Sequence, residues 1–187
     1  MDNIIQLKIT LQWTKPPIWR RVLVDKSTTF EQLHYIIQTA MGWTNSHLHE
    51  FDVNGYRIAV PYEEFDDGFD DESIDASTVS IDKFVTEAKS AFRYTYDFGD
   101  GWEHKIVVEK FLPQDAKIKY PICIGGKLNC PPEDCGGVPG FYELLEILGN
   151  KKHPDRKEML EWLGYQYDAE YFDKDEINQE LAALRSS

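Results

Sequence analysis

The sequence predicts an α+β fold: a mixed sheet with a β-grasp-like N-terminal half, a central β-hairpin, and C-terminal helices packed on the sheet. Three observations carry this. At least five segments alternate apolar and polar residues with period two, one segment of the N-terminal half has helical periodicity, and the final third is helical. Ile5, Leu7, Ile9, Leu11 and Trp13 alternate as a first strand with one wet face. Pro16-Pro17 breaks it, and Ile18 to Val24 reads as the second strand. Thr28 and Glu31 have capping-box spacing ahead of the stripe Leu33, Ile36, Ile37, Ala40, and Gly42 is the natural stop. His47, His49, Phe51 and Val53 share a strand face that turns at Asn54-Gly55 and returns through Tyr56 and Ile58.

The acidic stretch Glu63 to Asp75 does not fit a calcium loop, because Phe65 falls at a ligand position, and it reads as a solvated insertion. Ile81, Phe84, Val85 and Ala88 suggest a short helix. Phe92 to Glu109 is the central hairpin: Phe92, Tyr94, Tyr96 and Phe98 share one parity, and Trp102, His104, Ile106 and Val108 another. A three-residue loop, Gly99-Asp100-Gly101, would pair Phe98 with Trp102 and Tyr96 with His104, with Gly101 left-handed. Residues 113–139 read as an ordered but irregular connection. Helices are expected from Phe141 to Leu148, Pro154 to Leu163 and Asp175 to Leu184. The 187 residues form one expected domain, with 63–75 as its acidic loop and 138–187 as its helical part.

Composition narrows the function classes. A net charge of -13 repels phosphate backbones and disfavours nucleic acid, although Lys8, Lys15, Arg20, Arg21 and Lys26 form a local basic group. No run of about 18 apolar residues occurs and the start lacks a signal-peptide pattern, so no membrane association and a cytoplasmic location are expected. The three cysteines, Cys123, Cys130 and Cys135, are expected to be reduced thiols or metal ligands. Zinc is the metal considered, with His47, His49, His104 and the cysteines as ligands, although no C-x-x-C knuckle accompanies them.

Two segments concentrate unusual residues. One is the Asp97-Phe98-Gly99-Asp100-Gly101 turn, and the other is Cys130 to Gly140, where Glu133 and Asp134 precede Gly136-Gly137 at a helix start. Carboxylates there oppose an anion and suit a cation or basic partner. Alternatively, Glu133 or Asp134 caps the helix or bonds loop amides. The two segments are expected to meet, with Asp100, Glu133, Asp134 and His104 in one pocket.

Tyr94-Thr-Tyr-Asp-Phe-Gly-Asp-Gly-Trp-Glu-His104 followed by Cys130-Pro-Pro-Glu-Asp-Cys-Gly-Gly137 resembles the plasmid ORF-three-like family, named after an open reading frame of an Ri plasmid. Trp19 to Arg21 and His47 to Phe51 extend the likeness through most of the chain. The resemblance implies a domain family of unknown function and supplies no catalytic set. The favoured reading is a binding or interaction module for a cationic ligand or protein partner. Its site is expected among Tyr94, Tyr96, Asp97, Asp100, Trp102, His104, Glu133, Asp134, Gly136 and Gly137, with the tyrosines and Trp102 as an aromatic platform. The alternative is a metal-dependent enzyme in which His104 carries protons with Asp100, Glu133 and Asp134.

Overall fold

A computed structural model describes residues 2–61 and 73–185. Eight strands form one mixed sheet: β1 (Asp2–Leu11), β2 (Trp19–Asp25), β3 (His49–Val53), β4 (Tyr56–Ala59), β5 (Ile74–Asp75), β6 (Ala91–Tyr96), β7 (Trp102–Pro113) and β8 (Ile122–Lys127). Their spatial order is β5-β4-β3-β6-β7-β1-β2-β8, all antiparallel except β4 with β5. The strand, strand, helix, strand order of the first sixty residues is present, and the central hairpin β6–β7 sits between the two N-terminal hairpins. Among the described residues the α-helices are α1 (Phe30–Met41), α2 (Gly137–Gly149), α3 (Arg156–Leu163) and α4 (Lys174–Leu184).

One sheet face is the core. Ile5, Leu7, Ile9, Val22, Val24, Phe51, Phe92, Tyr94, Ile106 and Val108 pack there with Phe30, Leu33 and Ile37 of α1 and Leu181 of α4. Burying these side chains is the main stabilising term of the fold. The opposite face is wet and carries ion pairs between strands: Arg93 with Asp52 and Arg57 with Glu50 join neighbours, and Arg21 of β2 reaches across β1 to Glu109 of β7. At the β8 edge, the Asn178 side chain of α4 accepts the Cys123 N–H at 2.7 Å and donates to the Cys123 carbonyl at 2.9 Å, so that edge is covered.

Several expectations need correction. The capping box sits one residue later: the Thr29 hydroxyl accepts from the Gln32 amide and the Gln32 side chain accepts the Thr29 N–H. β1 stops at Leu11, and Trp13 is left-handed and 72% exposed rather than on the strand face. The helix expected from Ile81 to Ala88 is a single 3-10 turn, Ile81–Lys83. The connection 113–139 contains β8, whose Gly125-Gly126 hid it: a Cβ on Gly126 would lie 2.4 Å from the Phe172 ring. The acidic stretch lies outside the described residues up to position 72, and its end, Ile74–Asp75, is β5. The basic group dissolves, because Arg20 is buried against the carbonyls of Ala40, Trp19 and Lys127 and Arg21 is paired with Glu109.

The hairpin keeps its parity but not its register. Tyr96 pairs with Trp102, Tyr94 with His104 and Phe92 with Ile106, so Tyr96 and His104 are not opposite. The loop has five residues because Asp97 leaves the strand with φ of 55°. Its Oδ1 accepts from the Gly99 and Asp100 amides, and its carbonyl accepts from Gly101, local bonds that outcompete two further ladder steps. Gly101 is left-handed as expected, and Phe98 is turned outward.

Candidate functional site

Three chain segments converge at the turn end of the hairpin. The first is the stretch Trp43 to Leu48 leaving α1, the second is the 97–101 turn, and the third is the 130–137 loop ahead of α2. The Asp97 N–H donates to the Leu48 carbonyl at 2.9 Å, tying the first to the second. Asp100 Oδ2 accepts the Gly136 amide at 3.1 Å, tying the second to the third. A Cβ on Gly137 would lie 2.4 Å from the Asp100 carbonyl oxygen, so only glycine admits this approach.

Glu133 locks the third contact. One of its oxygens accepts the Thr44 amide at 3.0 Å and the Thr44 hydroxyl, and the other accepts the Tyr96 hydroxyl. It therefore bonds a loop amide, as one expectation had it, but does not cap α2. The α2 N-cap is left-handed Gly136, with no side-chain bond.

Asp134 and Asp97 face His47. His47 Nε2 is 3.2 Å from Asp134 Oδ1 and 3.7 Å from Asp97 Oδ2. Because Asp97 Oδ1 is engaged by its own turn, Oδ2 is the oxygen left facing His47. These ligand atoms all lie within 4.8 Å of one another. Both aspartates are left-handed, with φ of 55° and 59°, and a residue that departs from ordinary backbone geometry at a junction of loops is a pointer to function.

Other expected site residues lie elsewhere. Tyr94, Tyr96 and Trp102 have no solvent exposure, so they are core and not a platform. His104 is also sealed. Its Nδ1 donates to the Trp102 carbonyl at 3.0 Å, its ring meets Trp43 and Tyr94, and burial lowers its pKa to about 4. It does not share a pocket with the carboxylates: Glu133 opens on one cleft and Asp134 on another. His47 is in a loop, not on the strand face of His49. His49 is instead stacked on His34 with ring centroids 3.4 Å apart, and burial and that neighbour lower its pKa to about 3.

The cysteines do not form the expected ligand set. Cys130 Sγ lies 3.3 Å from the Arg20 guanidinium and 3.0 Å from Met41 Sδ, Cys123 Sγ faces the Gly125 carbonyl, and Cys135 lies in the loop before α2. Burial raises all three thiol pKa values, with Asp100 and Asp134 contributing at Cys135, so the thiolate form that binds metal is disfavoured. Among the described residues, His47, Asp97 and Asp134 form the group suited to hold an ion.

Sequence reasoning missed a closed hydrogen-bond ring behind the site. Gln38 Nε2 donates to the Tyr94 hydroxyl at 3.0 Å, and His34 Nδ1 and that hydroxyl are 2.8 Å apart. His34 Nε2 meets Asn45 Oδ1 at 2.6 Å, and the Asn45 amide returns to Gln38 Oε1 at 3.0 Å. One assignment satisfies every member: Nε2–H donates to Asn45, and Nδ1 accepts from Tyr94. Burial lowers the His34 pKa to about 4, matching this neutral ring. The signal was a polar face on α1, with His34 and Gln38 four residues apart beside Leu33 and Ile37.

A cleft of about 820 Å³ opens beside Glu133, between the end of α1, the 129–133 loop and the segment joining α3 to α4. Trp43, Trp162, Tyr165, Tyr167 and Tyr171 line it. Sequence reasoning did not single them out, although four of them recur between positions 162 and 171.

The family described as plasmid pRiA4b ORF-3-like protein matches residues 3–176. The chain belongs to this family. An uncharacterized protein, y4hQ of Sinorhizobium fredii (strain NBRC 101917 / NGR234), is 43% identical over 164 residues, which cover 87% of this chain and 81% of that protein. The crystal structure of a protein of unknown function, MM3350 from Methanosarcina mazei Go1, is similar with a TM-score of 0.81 and 37% identity, covering 92% of this chain and 96% of that one. The segments that carry the pRiA4b ORF-3-like resemblance, His47 to Phe51, Tyr94 to His104 and Cys130 to Gly137, supply His47, Asp97 and Asp134 respectively. No described helix is long and apolar enough to cross a membrane.

Proposed function

We propose that the protein is a binding module for a cation, and that the cation is a divalent metal ion held by His47 Nε2, Asp97 Oδ2 and Asp134 Oδ1. The observation that carries this is the meeting of one imidazole and two carboxylates from three separate segments, with ligand atoms within 4.8 Å of one another. Two donors about 2.1 Å from one ion lie about 3–3.5 Å apart at tetrahedral or octahedral angles. Closing the set therefore takes shifts on the order of 1 Å. One nitrogen and two hard oxygens suit zinc or manganese and leave positions for water or a ligand. The zinc expected from the sequence keeps His47, while the two aspartates replace the cysteines.

The enzyme reading through His104 lacks support, because that imidazole has no solvent contact and, among the described residues, no carboxylate partner. Equilibrium dialysis against Zn²⁺ and Mn²⁺, with metal content measured, tests the proposal. About one equivalent should bind, and His47→Ala and Asp134→Asn should each weaken binding by about tenfold or more. Absence of stoichiometric binding, or binding by both variants equal to that of the unaltered protein, overturns it.

A further inference from the structure

We infer that the cleft beside Glu133 is a second site, which takes a linear polyamine. The inference does not rest on the metal site. Its volume of about 820 Å³ is within the range of small-ligand sites. Trp162, Tyr165 and Tyr171 line it while remaining 47%, 55% and 48% exposed, an unusual outlay of large rings on a surface. Among the described residues, the carboxylates Glu133, Asp168 and Glu176 share the lining, and no Lys, Arg or His does.

The charge pattern selects the ligand class. Among the described residues none of the three carboxylates is in an ion pair. Their polar contacts are with neutral groups: Glu176 accepts the Tyr171 hydroxyl at 2.7 Å, Asp168 accepts the Glu170 amide at 3.0 Å, and Glu133 is held by Thr44 and Tyr96. An anion would face uncompensated negative charge, and a neutral apolar ligand would desolvate it. A polyamine alternates ammonium groups with short methylene runs, so its charges can meet the carboxylates while its methylenes lie on the rings. Ammonium groups over Trp and Tyr faces add cation–π attraction.

Isothermal titration calorimetry with spermidine, at physiological salt and with EDTA present, tests this and silences the metal site. Saturable one-site binding is expected, with loss of about tenfold or more in affinity for Trp162→Ala and for Glu176→Gln. Tyr165→Ala gives an independent reading at an exposed position, and thermal melts confirm that each variant folds. In a separate titration without EDTA, magnesium at matched ionic strength should not displace spermidine. Absence of saturable binding, full competition by magnesium, or unchanged affinity in all three variants would mean association with the acidic surface alone and would overturn the inference.

Discussion

At the scale of single residues, Glu133 and Asp134 are neighbours with opposite duties. Glu133 accepts from the Thr44 amide, the Thr44 hydroxyl and the Tyr96 hydroxyl, so Glu133→Gln replaces an acceptor with an NH2 group that faces donors. This should cost about 1–3 kcal/mol in urea unfolding. Asp134 is 69% exposed in its side chain and, among the described residues, pairs only with His47, so Asp134→Asn should change stability by less than about 0.5 kcal/mol while weakening metal binding. If both variants melt alike, this division of labour is wrong. The sequence marked both acids as unusual, and marked His47 as a ligand, from residue type and spacing alone. It could not reveal that Asp97 would give one oxygen to its own turn and leave the other facing His47, because that follows from bonds the turn makes only after it closes.

At the scale of elements, the hairpin and the loop before α2 are joined through glycines that differ in kind. Gly101 is left-handed with open space where a methyl group would sit, so Gly101→Ala should cost only the backbone term, about 1–2 kcal/mol. Gly137→Ala adds a backbone overlap with the Asp100 carbonyl and should cost more, with loss of metal binding because the two ligand loops are pushed apart. Chemical denaturation and zinc dialysis of the two variants give the comparison. Face assignment along β6 and β7 was legible because parity survives a two-residue slip of register. Loop length was not, since an aspartate carboxylate rather than a glycine decides where the strand ends. β8 was illegible for a related reason: Gly126 makes room for the Phe172 ring, and the Gly125-Gly126 pair erases the apolar alternation that marks a strand.

At the scale of the whole molecule, the buried imidazoles of His34 and His104 and the half-buried imidazole of His49 make stability depend on pH. His34, His49 and His104 have pKa values lowered to about 4, about 3 and about 4, below the roughly 6.5 of an unfolded chain. Above about pH 6.5 neither state binds these protons and the contribution is complete. As pH falls from there toward 4, the unfolded chain takes up protons that the native core refuses, and stability is lost. Each histidine should remove on the order of 1–2 kcal/mol between about pH 7 and pH 5. Urea midpoints across that interval should fall accordingly, and a flat profile would contradict neutral burial. The sheet order has a consequence for biosynthesis. β1, at residues 2–11, is flanked by β2 and by β7, which ends at residue 113. The N-terminal hairpin, complete at residue 25, thus leaves the ribosome with one edge of its first strand unpaired, and it must wait for about ninety further residues before that edge is covered. During translation it is an open template for any extended chain nearby.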